Sequence, residues 1–195
     1  MTLRILPMLI LASRSPQRKA ILKRLGVVFE VMPSPFDEST VLEKDPKKRA
    51  VILAEKKAEV IAKGHPDQWV IGVDTLVVAS DGTLLEKPSD AEDARRMLRL
   101  HSGNISTVHS GLSLQRGSEC HSALSSARVT FRTLSEKDID WWISTELWEE
   151  RSGAFQIEGE GQKLIHSLEG ELETVVGFPV QIFLKKCREL KLACG

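Results

Sequence analysis

The stretch Trp69 to Ala79, Trp-Val-Ile-Gly-Val-Asp-Thr-Leu-Val-Val-Ala, is apolar at nearly every position. A strand with one wet face alternates polar and apolar residues. This run does not, so both its faces are covered and it belongs at the centre of a sheet. Asp74 interrupts it. A carboxylate buried in mid-strand costs on the order of several kcal/mol of desolvation unless it is paired, hydrogen-bonded or bound to a metal. On chemistry alone Asp74 is the best catalytic candidate. The plainer alternative is an aspartate accepting N–H bonds at a strand end.

A second organising stretch lies near the start. Met8 to Ala12 reads as a short buried strand. Ser15 is then a good N-cap, Pro16 suits the first helical position, and Gln17 to Leu25 continues as a helix stopped by Gly26. Helix N-termini present unpaired N–H groups and partial positive charge, so Ser13, Arg14, Ser15 and Arg18 can seat a phosphate. An ordinary cap with two exposed arginines is the alternative, since the glycines of a P-loop are missing. Any anion held here is a small one. Lysine plus arginine equals aspartate plus glutamate at 27 each, so the chain lacks the basic excess that nucleic-acid or membrane surfaces require.

The remaining chain alternates helices and strands without repeats. Phe29 to Met32 is a strand and Pro33 to Thr40 a polar loop carrying Asp37-Glu38, a pair that is commonly a cap or turn. Asp45-Pro46 opens a helix towards Gly64, buried through Val51, Ile52, Leu53, Ala54, Ala58 and Ile61, with Lys56-Lys57 beside them. Lys57 either snorkels to water or reaches a buried phosphate. Ser80-Asp81-Gly82 is a turn returning through Thr83 to Leu85. Glu86-Lys87-Pro88 then leads into a Ser89 to Glu92 capping box for a helix ending near Leu100. Ile105 to Gln115 and Glu119 to Phe131 form a long hairpin. Ser135 to Asp138 caps a helix carrying Trp141, Trp142 and Trp148. Ser152 to Gln162 is glycine-rich and acidic, with Glu158 inside it, and Pro179 starts a last helix through Leu192.

The histidines show no metal-binding spacing. Cys120, Cys187 and Cys194 are odd in number and lack a Cys-x-x-Cys, which argues against a disulfide framework and for a reducing, cytoplasmic setting. Arg4 followed by Ile5 to Ala12 superficially resembles a secretory signal, but Pro7 breaks the apolar run. No window is long enough to span a bilayer.

Seven blocks, in order, carry a resemblance. They are Leu-Ala-Ser-Arg-Ser-Pro-Gln-Arg at 11–18, Asp37-Glu38, Leu-Ala-Glu-Lys-Lys-Ala at 53–58, Gly-Val-Asp-Thr at 72–75, Glu-Lys-Pro at 86–88, Gly-Ala-Phe-Gln-Ile-Glu-Gly at 153–159 and Val-Gly-Phe-Pro at 176–179. Together they resemble the Maf family of nucleoside triphosphate pyrophosphatases over nearly the whole chain. The resemblance implies one domain spanning residues 1–195, with an α/β fold similar to the inosine triphosphatases. That fold is an elongated mixed sheet flanked by helices, in two lobes with a central cleft. It also implies a homodimer and cleavage of a nucleoside triphosphate to monophosphate and pyrophosphate with a divalent cation, magnesium, manganese or cobalt. Carried over, it makes Asp74 the general base, sets Ser13, Arg18, Lys57 and Lys87 around the phosphates, and gives Glu38 to the metal with Asp74. A departing pyrophosphate needs such cations for its growing charge.

Substrate choice rests on Gln17, Thr75 and Glu158. The branch acting on dTTP and UTP carries glutamine where this chain has Glu158, and many members have arginine where it has Gln17. An ionised glutamate only accepts hydrogen bonds, which suits the paired N–H donors of a guanine-type base. The branch hydrolysing 7-methyl-GTP has that glutamate but usually lacks the threonine kept here as Thr75. The readings are therefore a guanine or modified-guanine triphosphate, or dTTP and UTP. Glu158 can instead brace its own loop by accepting a backbone N–H. A nucleotide-binding regulator of septum formation without turnover is the non-enzymatic alternative.

Overall fold

The computed structural model describes residues 9–192, so the expectations for Met8 and the segment before it lie outside the described residues. The apolar run forms β3 (Val70–Val78), in which only Thr75 and Val78 are even partly exposed. β1 (Leu9–Leu11) pairs with it in parallel, Ile10 opposite Val70 and Leu11 opposite Ile71, and β2 (Phe29–Val31) pairs in parallel with β1. The strand order is β2-β1-β3-β5-β6-β7, where β5 is Ile105–Arg116, β6 Glu119–Phe131 and β7 Ile165–Glu169. β4 (Leu84–Leu85) lies antiparallel on the end of β3, and β7 antiparallel on β6. The fold is thus mixed α/β, with a seven-stranded mixed sheet flanked by helices.

The described chain falls into two compact units. The first takes the residues up to Asp74, Ser110–Ser125 and those from Gly177 onward; the second takes Thr75–His109 and Ser126–Val176. In the first unit, α1 (Pro16–Arg24), α2 (Pro46–Ala62) and α6 (Val180–Glu189) accompany the strands. α2 starts where Asp45 accepts the Lys47 N–H, and it buries Ala50, Ala54, Ala58 and Ala62 at four-residue spacing. These alanines lie against glycine backbone. A Cβ on Gly72 would stand 2.0 Å from the Ala54 carbonyl oxygen, and one on Gly111 would stand 2.2 Å from that of Ala50. Side chains two residues apart share a strand face, so Gly72 and Asp74 both point towards α2. The missing side chain at Gly72 lets the helix approach, and Lys57, next to Ala58, reaches Asp74.

The second unit packs α3 (Ala91–His101), α4 (Glu136–Ser144) and α5 (Leu172–Val176) around a core that includes Leu85, Leu98, Val129, Phe131, Trp142 and Phe155. Here several expectations need correction. α3 is capped by Asp90, which accepts the Asp93 N–H, while Ser89 gives its own N–H to Asp93, so the cap sits one residue late. The Ser135–Asp138 capping box forms, but Trp148 lies beyond α4 and donates its indole N–H to the Ile143 carbonyl. In the first unit, α6 ends at Glu189 because Lys191 takes a positive φ of 54°. Cys187 is disulfide-bonded, a single bridge and not the framework that the odd cysteine count argues against; Cys194 lies outside the described residues. Cys120 is free and exposed. Among the described residues no helix is long and apolar enough to cross a membrane.

Candidate active site

In the first unit the α1 cap forms as the sequence predicts. Ser15 Oγ accepts the Arg18 N–H at 3.4 Å and donates to Gln17 Oε1 at 3.0 Å. Arg14 is exposed, as a plain cap would leave it, but Arg18 is not. Its Nε donates to the Gly177 carbonyl at 2.8 Å and its Nη1 to Ser13 Oγ at 3.1 Å, and Ser13 Oγ also accepts the Ser15 N–H at 3.2 Å. Burial lowers the Arg18 pKa from its ordinary value, while the charges of Asp74 and Glu38 push it back up. Arginine stays protonated under such opposing pressures. A fixed, desolvated cation therefore stands beside a buried hydroxyl at a helix N-terminus.

Asp74 is 5% exposed. Its Oδ1 lies 2.6 Å from Lys57 Nζ, and the same Nζ lies 2.8 Å from Glu38 Oε1. Its Oδ2 is buried without a hydrogen-bond partner. Burial raises the Asp74 pKa above the usual carboxylate value. Lys57 and Arg18 pull it down, and Glu38 pushes it up. Glu38 arrives from a 3-10 turn, Glu38–Thr40, that its neighbour holds: Asp37 Oδ1 accepts the Ser39 N–H at 3.0 Å. Of the adjacent acidic pair, then, Asp37 is the cap and Glu38 the member facing Lys57.

A buried acceptor left without a partner calls for an explanation, such as a catalytic role or a bound ion or water. Hard divalent cations of the magnesium type take one or two carboxylates together with water and phosphate oxygens. Glu38 and Asp74, converging on one ammonium with an oxygen to spare, fit that donor set. No group of three or more His, Cys, Asp or Glu able to hold a metal occurs among the described residues. The remaining ligands of such an ion would therefore come from water and substrate.

The other predicted residues belong to the second unit. Thr75 is partly buried. Lys87 is exposed and ion-paired with Glu150. Glu158 is exposed at the head of the 3-10 turn Gly159–Leu164 and its side chain does not cap it, so the loop-brace alternative finds no support. Its charge instead opposes the lowering of the Arg151 pKa by burial. The first unit thus gathers Ser13, Arg18, Glu38, Lys57 and Asp74, with Gln17 at the cap, while Thr75, Lys87 and Glu158 belong to the second. Two participants were not read from sequence. Gly177, the carbonyl partner of Arg18, lay within a quoted block but had no assigned part, and Glu150 carried no signal.

With that geometry in place, the whole-chain comparisons decide the family. The family model described as Maf-like protein matches residues 8–190. The chain belongs to the Maf family. Its similar relatives include dTTP/UTP pyrophosphatases of Pyrococcus furiosus, 37% identical over 177 residues and covering 91% of this chain and 92% of the relative, and of Treponema denticola, 37% identical over 186 residues, covering 89% and 92%. The Deinococcus radiodurans relative of the same name is 38% identical over 182 residues, covering 93% and 92%. A solved HAM1 protein from Coxiella burnetii is 13% identical with a TM-score of 0.42, covering 64% of this chain and 73% of that one, too remote to bear on the site.

Proposed function

We propose that this Maf protein is a nucleoside triphosphate pyrophosphatase, hydrolysing the bond between the α- and β-phosphates to release monophosphate and pyrophosphate. The observation that carries the reading is Asp74, buried, ion-paired through one oxygen and unpartnered at the other. A protein that only bound nucleotide would use that acceptor as a metal ligand and nothing more, so turnover itself separates this reading from the regulator without turnover. In the proposed reaction Asp74 takes the proton of the water attacking the α-phosphorus. The bond to the bridging oxygen breaks, and the electron pair leaves with pyrophosphate. Arg18 and Lys57 supply positive charge as the leaving group gains negative charge, and the Ser13 hydroxyl donates to a phosphate oxygen. Glu38 and Asp74 would hold a divalent cation, magnesium, manganese or cobalt, which when bound polarises a phosphoryl oxygen and acidifies water.

For the base, Glu158 as an acceptor favours a guanine-type edge, including a modified one such as 7-methylguanine. A second reading, dTTP and UTP, is favoured by the names of the relatives. A homodimer and a cytoplasmic location, where triphosphates are held, complete the proposal. Light scattering tests the first and fractionation the second. The central experiment is a panel of canonical and modified triphosphates assayed with each of the three metals. Pyrophosphate and monophosphate in equal amounts are expected. Release of orthophosphate, or no turnover with any pair, overturns the reading.

A further inference from the structure

Beyond the charged cluster, the second unit contains a buried polar bracket that the proposed chemistry does not use. His101 and Ser106 are both fully buried. His101 Nε2 lies 2.8 Å from the Gly153 carbonyl and Nδ1 2.7 Å from Ser106 Oγ. A carbonyl only accepts, so Nε2 carries the proton and Nδ1 accepts from the serine. The ring stacks on Phe131 at 4.2 Å between centroids and meets the edge of Phe155 at 5.2 Å. One residue on, Trp142 Nε1 donates to the Ala154 carbonyl at 2.8 Å. The Gly153 N–H donates in turn to the Glu86 carbonyl at 3.0 Å.

These bonds hold a backbone that would not persist without them. Gly153 and Ala154 take consecutive positive φ values of 75° and 57°, and an alanine rarely adopts the left-handed region. After them the backbone is extended at Phe155 and bends at Ile157 and Glu158; Phe155 and Ile157 are buried, while Gln156 is half-exposed and Glu158 exposed. The buried side chains of Phe155 and Ile157 anchor the segment on either side of Gln156, so Glu158 is held in place when the start of the segment is held. Its far end is fixed as well. A Cβ on Gly161 would stand 1.9 Å from the Gln156 carbonyl oxygen, and Gln156 Nε2 donates to the Glu158 carbonyl at 3.1 Å.

We infer that His101, with Trp142, is a positioning residue for base selection, clamping the Gly153 and Ala154 carbonyls so that Glu158 is presented in one place. The inference rests on the reading of Glu158 as the base contact. Burial holds His101 neutral by lowering its pKa to about 4, so the tautomer that donates to Gly153 is kept across the neutral range.

The test uses His101→Phe, which keeps a stacking ring but removes both nitrogens, and His101→Gln, whose amide can donate to Gly153. Trp142→Phe removes the second donor independently. For each folded variant, kcat and KM are measured on GTP, dTTP and UTP, together with amide hydrogen exchange across residues 152–162. In His101→Phe the exchange of that segment should rise, KM should rise, and the ratio of kcat/KM between base classes should move about tenfold towards unity, the effect of misplacing one polar contact. kcat at saturation should stay within about threefold, and His101→Gln should restore both ratio and exchange. A folded His101→Phe protein with an unchanged base ratio overturns the inference, as does equal loss on every base that glutamine does not restore. Should the wild-type protein release no pyrophosphate from any triphosphate, the pyrophosphatase reading falls, and exchange alone decides the bracket. Equal exchange in wild type and His101→Phe then overturns it.

Discussion

In the first unit Lys57 lies 2.6 Å from Asp74, with the two side chains 13% and 7% exposed. In the second unit Lys87 pairs with Glu150, with the side chains 58% and 82% exposed. Water screens the second pair and leaves it worth about 0–1 kcal/mol. The first pair has shed its water, so each partner depends on the other, and removing one strands a buried charge. The same two chemical groups thus make a surface contact in one unit and, in the other, a desolvated pair with one carboxylate oxygen left without a hydrogen bond. The difference arises from helix packing: α2 can approach β3 because Gly72 has no side chain, and that approach excludes solvent from Asp74.

The sharpest way to break this contrast is at Asp74 itself. Asp74→Asn keeps the shape and removes the base, so the fold should survive while triphosphate turnover falls by about 10²- to 10⁴-fold. A folded variant hydrolysing at the parental rate would take the base role from Asp74.

Removing the lysines comes next. Lys57→Met should cost about 3–5 kcal/mol in urea unfolding, because Asp74 stays buried without its partner. Lys87→Met should cost no more than about 1 kcal/mol. Similar losses for the two would mean that burial does not separate the pairs. Turnover adds a second measure: a Lys87→Met protein of wild-type stability but reduced kcat/KM for triphosphates would place Lys87 on the phosphates, as the family resemblance implies.

The units also respond to pH with opposite signs. His101 titrates near 6.5 when unfolded and at about 4 when folded, so the unfolded chain binds the extra proton between those values. Its contribution, roughly 3 kcal/mol, is complete above pH 6.5 and is lost as pH falls towards 4. Asp74 has a raised folded pKa, so its contribution is present below the ordinary carboxylate value and is lost as pH rises through the folded pKa. Urea midpoints between pH 4 and 7 should fall on the acid side in the wild-type protein and fall less in His101→Gln. In Asp74→Asn the rise of stability with pH should steepen. Slopes identical to wild type in both variants would remove these two groups from the pH response.

How far the site was legible in advance follows from which interactions are local. Asp74 could be found because it is the acidic residue inside an otherwise apolar run. The Ser15 cap and the start of α1 could be found because capping is decided within four residues. Whether Lys57 would snorkel or turn inward could not be found, since that depends on Gly72 and Gly111 meeting the alanine stripe of α2. Nor could the partner of Arg18, a carbonyl 159 residues away. Asp37 and Glu38 read alike until the turn made one a cap, and the cap of α3 shifted from Ser89 to Asp90 because both can accept. His101 escaped notice altogether, since its meaning comes from Gly153 and Phe131, and neither is near it in sequence.

The smallest effect expected is at Glu158, and it bears on the base preference. The carboxylate is exposed and does not cap its own turn, so replacing it should not unfold the segment. Two N–H donors on a guanine-type edge can satisfy both carboxylate oxygens, whereas the one ring N–H of thymine or uracil satisfies only one. Glu158→Gln exchanges an acceptor for a donor, which pairs with a pyrimidine carbonyl and opposes the guanine donors. With solvent access moderating the charge, the ratio of kcat/KM for GTP or 7-methyl-GTP to that for dTTP and UTP should shift towards the pyrimidines by about 3- to 10-fold. Steady-state kinetics on both base classes for the wild type and variant make the comparison. Since the carboxylate does not cap the turn, the loop-brace alternative predicts no shift from a contact the structure lacks. A ratio that stays constant would therefore leave Glu158 without a part in recognition and return base choice to Gln17 and Thr75.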